Sequence, residues 1–305
     1  MDNFDKPTIR RQPRLNLAIG PNCPVRCEGC YNHFGNTSLS GELVTKDEIV
    51  DFASEVRNRD IDGVTLSGGD PLFHPEIEDI LAGLKGLEYR TKLDTVGTGF
   101  LEDARILFKG RGSSTKVDIE RIKDTLESVT IPLDGVDSKT ITGFRRGRPN
   151  IFNETSIISN ILKEAGVKFG FNTVVNAKNL HQINEIGKLA LDLGAFEWHV
   201  FEYDMSGPNP SSQKSKLAIS YDQFMSATES LEQASFDGMR LDLRTKESRI
   251  GTGAYFFVND AGEAWSPTGE ENIAIRYGHI TRDRERVMEA YDRYLEDFNI
   301  KFLTE

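Results

Sequence analysis

Cysteine is almost absent from this chain: 3 of 305 residues, Cys23, Cys27 and Cys30, all within one short stretch. An odd number cannot close a disulfide set, and no cysteine elsewhere could pair with them, so a disulfide scaffold is excluded. Basic charge is also short. Lys plus Arg number 37 against 48 Asp plus Glu, a net charge of -11, which argues against bulk binding to nucleic acid or an anionic membrane. No apolar run approaches the ~20 residues of a membrane span. Met1 to Arg14 is polar and basic without an apolar core, so a secretory leader is not expected and a cytoplasmic protein is. Internal repeats and low-complexity tracts are missing too. What is present, 38% hydrophobic and 28% charged residues in 34.2 kDa, suits one large α/β barrel or two modest domains.

The apolar period alternates between strand and helix. Leu15 to Ile19 is expected as a strand ending at Gly20-Pro21, with the cysteines on the loop beyond. Thr45 to Arg57 has a helical pattern, with Thr45 as cap and Asp47 and Glu48 in the first turn, where the helix dipole favours acids. Gly63 to Ser67 is the next strand, broken by Gly68-Gly69-Asp70-Pro71. Further strands are expected at Thr91 to Thr95, Ser128 to Leu133, Val167 to Val175 and Glu197 to Tyr203. Helices are expected between them at Pro75 to Leu87, Val117 to Leu126, Asn153 to Ala165 and Leu180 to Leu193. Six strand–helix alternations with short connections predict parallel β/α units built by right-handed crossovers. Ser206 to Lys216 reads as a loop. Beyond it come a helix (Tyr221 to Gln233), a strand near Met239 to Arg244, a hairpin around Asn259-Asp260-Ala261-Gly262 and a closing helix, Arg282 to Phe298. The expected division is a tail (1–14), a barrel (15–205) and a C-terminal extension capping it (206–305).

Cys23-x3-Cys27-x2-Cys30 carries the chemistry. Three thiolates on one tight loop can converge on one face of a metal centre, as iron–sulfur ligation requires. A [4Fe–4S] cube held by three cysteines leaves one iron open to a substrate or cosubstrate. Two alternatives stay open here: a Cys3His zinc site using His33, and a cluster of idle thiols.

The spacing resembles the radical SAM superfamily, whose motif is C-x3-C-x2-C after the first barrel strand. Leu66-Ser67-Gly68-Gly69-Asp70-Pro71-Leu72 is similar to the glycine motif that ends its second strand, and Asp94-Thr95-Val96-Gly97-Thr98 to the end of its third. Pro132-Leu133-Asp134-Gly135 and Asn172-Thr173-Val174-Val175 resemble the fourth and fifth. The glycine motif, with Gly29-Cys30-Tyr31-Asn32, is similar to anaerobic ribonucleotide reductase activases, and the later half is loosely similar to viperin-like enzymes. The chain departs from the family pattern at Asp70 (commonly Glu), Gly29 (often aromatic) and Val96 (usually Asn).

The resemblance implies α/β architecture, a partial (β/α)6 TIM-like barrel with a C-terminal α+β extension. It also implies a [4Fe–4S] cluster on Cys23, Cys27 and Cys30 with S-adenosylmethionine on the open iron. Gly68, Gly69 and Asp70 are then expected at the methionine amino group, the glycines because a side chain would block close approach. Thr95 and Asp134 are expected at the cofactor from their strand ends, and Asn172 at a ribose hydroxyl. One of Arg145, Arg146 and Arg148, with Arg146 as the candidate, would clamp the methionine carboxylate. His74, His181 and His279 are expected to be structural, with His199 the histidine placed to face the barrel mouth. Trp198, Phe201 and Tyr203 are expected to point inward, and Tyr255, Phe256, Phe257 and Trp265 to cap the open side. No cysteine follows Cys30, so auxiliary clusters, and with them sulfur insertion and much peptide modification, are disfavoured. The expected function is hydrogen abstraction from a small-molecule or peptide substrate, with flavodoxin or ferredoxin as reductant. The alternatives are an activase that installs a glycyl radical on a partner enzyme, and a zinc-binding structural module.

Overall fold

The computed structural model describes residues 12–28, 30, 43–102, 116–204, 214–233, 238–268, 270 and 274–303. Its strands are β1 (Leu15–Gly20), β2 (Arg26–Cys27), β3 (Gly63–Gly68), β4 (Arg90–Asp94), β5 (Leu126–Pro132) and β6 (Arg145–Arg146). They continue with β7 (Phe169–Val175), β8 (Glu197–Glu202), β9 (Arg240–Arg244), β10 (Phe257–Asn259), β11 (Glu263–Pro267) and β12 (Ala274–His279). The helices are α1 (Lys46–Arg57), α2 (Ile77–Gly86), α3 (Ile119–Ile122), α4 (Ser138–Phe144) and α5 (Ile151–Glu164). After them come α6 (Ile183–Asp192), α7 (Lys214–Leu217), α8 (Tyr221–Gln233) and α9 (Arg284–Leu303).

Alternating polarity along the strands explains how the sheet curls. Leu17, Leu66, Leu93, Val129 and Phe169 stand in register across five strands and are all buried. They join the main core with Ile49, Phe52, Ala53 and Val56, the apolar stripe of α1. That helix starts as its sequence requires: the Thr45 hydroxyl accepts from the Glu48 N–H, and the Glu48 carboxylate accepts from the Thr45 N–H. Such a capping box stabilises a helix by about 1 kcal/mol. The opposite face of the same strands carries Asn16, Thr65, Lys92 and Ser128 in register. Lys92 on β4 reaches Glu197 on β8 at 2.9 Å, three strands away. Only a concave sheet brings those side chains together, so the polar face lines a barrel lumen.

The sheet order is β12-β11-β10-β1-β3-β4-β5-β7-β8-β9. From β10 to β9 every pairing is parallel, while β11 and β12 fold back antiparallel. The six expected barrel strands are β1, β3, β4, β5, β7 and β8. The segment expected as an extension adds β9 beside β8 and β10 beside β1, so one sheet runs through both parts and forms an open eight-stranded parallel arc. The loop read over Ser206 to Lys216 lies largely outside the described residues.

Three expectations need correction, and one strand is found where none was read. Where a helix is expected over Val117 to Leu126, α3 lasts one turn, because the Thr125 hydroxyl bonds back to the Ile122 carbonyl and Leu126 already pairs with Thr91. Trp198 points away from the lumen, to the helix side, where its indole N–H donates to Thr173 at 2.8 Å; Phe201 is on the lumen face, in register with Arg244. Phe256 turns away from Tyr255 and Phe257 to stack on Tyr277 and meet Tyr291 edge-on. Tyr255, Phe257 and Trp265 stack on one another at 5.2 and 4.8 Å, against Ala18. Finally, the third hairpin strand β12 has no clear alternating pattern in its sequence. Among the described residues no helix is long and apolar enough to cross a membrane.

Candidate active site

β1 and β3 end against each other, backbone to backbone. The Gly69 N–H donates to the Gly20 carbonyl at 2.9 Å, and the Asp70 N–H to the Asn22 carbonyl at 2.6 Å. A Cβ on Gly69 would lie 2.3 Å from that Asn22 oxygen, and one on Gly68, whose φ is +122°, 2.5 Å from the Gly20 nitrogen. Glycine is therefore required here by the chain's own backbone, where the motif suggests room for a ligand. The contact fixes the root of the cysteine loop, because Asn22 precedes Cys23 and its side-chain oxygen accepts from the Cys23 N–H.

Cys23, Cys27 and Cys30 are all half-buried on that loop, and the Cys30 N–H faces the Cys27 carbonyl. Burial pushes the Cys23 thiol well up, and the nearby Cys27, Asp70 and Cys30 push it further. Cys27 is raised by burial too, with Arg145 opposing the shift. Three thiolates so close together and so poorly solvated need multivalent cationic charge to compensate them. A cluster of several irons, each taking one thiolate, fits this donor set. Among the described residues no three His, Cys, Asp or Glu side chains are arranged around a single ion. Gly29 and His33 lie outside the described residues.

Asp70 is fully buried, and its oxygens are engaged from within the protein. Oδ1 accepts from the Thr95 hydroxyl at 2.5 Å and the Leu72 N–H at 3.1 Å, and Oδ2 from the Val96 N–H at 3.0 Å. Burial pushes its carboxyl up to about 6 against those bonds. Thr95 in turn accepts from the Gly97 N–H at 2.9 Å. Both residues thus tie β3 to β4 at the barrel mouth. Their side chains position the strand ends.

Of the three arginines, Arg145 reaches the cysteine loop. Its Nη1 donates to Cys27 Sγ at 3.2 Å, its Nε bonds to Asp134 Oδ2, and the guanidinium lies over Phe144. Burial works against its charge, but Asp134 and Cys27 hold the guanidinium firmly protonated. The other Asp134 oxygen accepts from the Val174 N–H at 2.7 Å. Arg146, the sequence candidate, is on the exposed side of the same two-residue strand and pairs with Glu28; Arg148 pairs with Glu154 and Glu102. Arg145 lies opposite Cys27 and Arg146 opposite Arg26 in the short β2–β6 ladder, and this pairing decides which arginine faces inward. No sequence pattern signals a two-residue ladder.

Asn172 and His199 face the lumen in register. The His199 Nδ1–H donates to Asn172 Oδ1 at 2.9 Å, the Asn172 amide approaches the Thr130 hydroxyl at 3.4 Å, and that hydroxyl bonds Asp94. Burial and Arg244 push His199 down from its ordinary value, with Glu197 opposing the shift. His74 is buried between the Val44 carbonyl and the Glu76 N–H, a structural role as expected. Below His199, Glu197 is fully buried and meets Lys92 at 2.9 Å and Arg240 at 2.5 Å. Burial opposes the Glu197 charge, but His199 and Lys92 hold its carboxyl below the ordinary 4.5. Its folded pKa is depressed, so its contribution is present above pH 4.5 and lost as pH falls below that value. Glu197→Gln is expected to destabilise the protein at pH 7 by roughly 1.5–3 kcal/mol, the scale of hydrogen bonds to charged groups. Urea titrations of both proteins would show the gap closing below pH 4.5; a gap independent of pH would contradict this assignment.

Residues 17–190 match the family described as the radical SAM superfamily. An AdoMet-dependent heme synthase of Methanosarcina barkeri is 31% identical over 192 residues, covering 62% of this chain and 50% of that protein. A probable GTP 3′,8-cyclase of Saccharolobus islandicus is 26% identical over 206 residues, covering 66% of this chain and 59% of that protein. The chain spans about half the length of the heme synthase it matches. Among solved structures, native anSMEcpe with bound AdoMet and Kp18Cys peptide has a TM-score of 0.66 at 14% identity, over 95% of this chain and 83% of that one. Streptococcus suis SuiB bound to the precursor peptide SuiA has a TM-score of 0.59 at 14% identity, over 82% of this chain and 58% of that one. At such identities these structures show a shared fold.

Proposed function

The chain belongs to the radical SAM superfamily, and from that premise we propose that it abstracts hydrogen from a small polar molecule bound in the barrel lumen. When bound, the [4Fe–4S] cluster supplies the electron that cleaves S-adenosylmethionine to methionine and the 5′-deoxyadenosyl radical. Cys23, Cys27 and Cys30 hold three of its irons. The observation that carries the reading is the pinned loop root: Gly69 and Asp70 bond to Gly20 and Asn22 directly before Cys23. This fixes the thiols over the C-terminal strand ends, where barrels of this kind do their chemistry.

The chain's own residues would orient and shield. Asp70 and Thr95 hold β3 and β4 in place, and the carbonyls at Gly68 and Gly69 are the acceptors for the methionine amino group. Arg145, which bonds to Cys27, would take the place of Arg146 in holding the methionine carboxylate. Asn172 and His199, already hydrogen-bonded to each other, line the wall that the substrate meets. β9 and β10 extend the lumen wall at the two ends of the parallel arc. A polar lumen favours a small metabolite over an apolar one, and the names of the curated relatives, a heme synthase and a GTP cyclase, support small molecules over peptides. A flavodoxin or ferredoxin would supply the electron.

Anaerobic reconstitution, dithionite and S-adenosylmethionine provide the test. The expected result is brown protein that releases 5′-deoxyadenosine, with colour and release both lost in Cys27→Ala. Colourless protein carrying one zinc and releasing none would replace this reading with a binding module. Release that is stimulated only by a large glycyl-radical protein would replace it with an activase.

A further inference from the structure

Phe201, on the lumen face of β8, carries two guanidinium groups. Arg244 Cζ lies 5.1 Å from its ring centroid and Arg249 Cζ 5.7 Å. Arg244 ends β9, and Arg249 ends the single 3-10 turn that follows, Glu247–Arg249. Both sense Tyr255, which precedes β10 at the other edge of the arc. The two cations therefore stand at and just beyond the C-terminal end of β9, near the Tyr255 segment.

Their compensation differs. Arg244 is held by Asp242 through two contacts, Nε at 2.8 Å and Nη2 at 2.7 Å. Arg249 donates Nη2 to the Glu202 carbonyl and Nε to the Thr245 carbonyl at 3.3 Å, both uncharged acceptors. Among the described residues it has no ion pair, and its Nη1 has no protein acceptor. The nearest acids are engaged elsewhere: the Glu202 carboxylate takes the Lys246 N–H at 2.7 Å, and Asp204 lies 3.5 Å from Lys246 Nζ. Burial pushes the Arg249 guanidinium down, with Tyr255, Asp204 and Glu202 opposing the shift and Arg244 adding to it. A half-buried cation beside a second cation, directly hydrogen-bonded to carbonyls alone and with its acids at a distance, has room in its electrostatics for a closer anion.

We propose that Arg249, supported by Arg244 and Tyr255, is the recognition site for an oxyanion on the substrate, a carboxylate or a phosphate. The inference rests on the reading that the substrate lies in the barrel lumen. Arginine's planar fork matches both groups in a two-point contact that lysine cannot reproduce. Phe201 fixes the plane of each guanidinium, and Asp242 keeps Arg244 from swinging into the position the anion takes. The chain Asp94–Thr130–Asn172–His199 then meets the polar body of the molecule deeper in the lumen.

Calorimetric titration of the reconstituted protein at low ionic strength, with inorganic phosphate and separately with succinate, tests this. Saturable one-site binding of at least one probe is expected, weakened at least tenfold in Arg249→Met and less in Arg249→Lys. Binding of phosphate alone assigns a phosphate group, and binding of succinate alone a carboxylate. No binding of either by the wild type, or equal binding by Arg249→Met, overturns the anion site. Dimethyl succinate, uncharged but similar in shape, is expected not to bind, and binding as tight as succinate would also overturn it. Deoxyadenosine release by the wild type is a separate reading: its absence would remove the proposed function and leave anion binding untouched.

Discussion

Gly69→Ala is expected to unfold the root of the cysteine loop and abolish iron uptake. The added methyl group would sit 2.3 Å from the Asn22 carbonyl oxygen and 2.9 Å from that of Gly20. Neither can retreat alone, because Gly20 and Asn22 are bonded to Gly69 and Asp70 at 2.9 and 2.6 Å. Relief requires β1 and β3 to part, which costs those two bonds and the register between Gly20 and Gly68. Overpacking and the two lost backbone hydrogen bonds together put the loss of stability on the order of 2–5 kcal/mol. Gly86→Ala is the matched control, since a Cβ there meets nothing within 4 Å and the site is at the end of a helix, where alanine is favoured. Thermal unfolding and iron per chain after reconstitution are the measurements. An alanine at 69 that binds a full complement of iron and melts with the wild type would show that the glycine is not required by the backbone contact.

Much of this arrangement is legible in the sequence because its causes are local. The Thr45 cap of α1 and the Asn259–Gly262 turn each depend on residues within a few positions of one another, and each forms where it is read. The polar lumen was also written plainly: Leu15-Asn16-Leu17, Val64-Thr65-Leu66, Leu93-Asp94 and Trp198-His199-Val200 alternate with period two. Counting that alternation places Trp198 and Phe201 on opposite faces, as found. What was not legible depends on pairing between distant segments. Arg145 and Arg146 are identical in type, and the choice between them rests on the register of β2 with β6 across more than a hundred residues. Arg249 looks like one more surface charge until β8, β9 and the Tyr255 segment bring Phe201 and Arg244 to it. Likewise, the hydrogen-bond partners of Asp70 come from β4, so its positioning role is invisible in the glycine motif itself.

Arg145→Met is expected to have the second large effect, through two neighbours at once. Asp134 is fully buried as a side chain and depends on Arg145 for its counter-charge; the Val174 N–H that it also accepts is neutral. Breaking a buried pair from one side typically costs about 3–5 kcal/mol, because the remaining charge has lost its solvation and gained nothing. Asp134→Asn combined with Arg145→Met removes that charge as well, and should recover much of the stability. The recovery makes the two substitutions non-additive, with a coupling on the order of 1.5 kcal/mol or more. Cys27 separates this structural effect from the one at the cluster loop. Arg145 opposes the burial that raises the Cys27 thiol, by its charge and by a hydrogen bond, while Asp134 raises it; neutralising Asp134 therefore offsets only part of the loss of Arg145. The double variant should therefore fold nearly as well as the wild type yet take up iron more weakly. Denaturant titration of the four proteins of the cycle, with iron affinity measured on each, checks both halves. Iron uptake that recovers together with stability would mean that Arg145 acts only on Asp134. Uptake that stays impaired in a stable double variant would place the guanidinium in the cluster's own electrostatic environment.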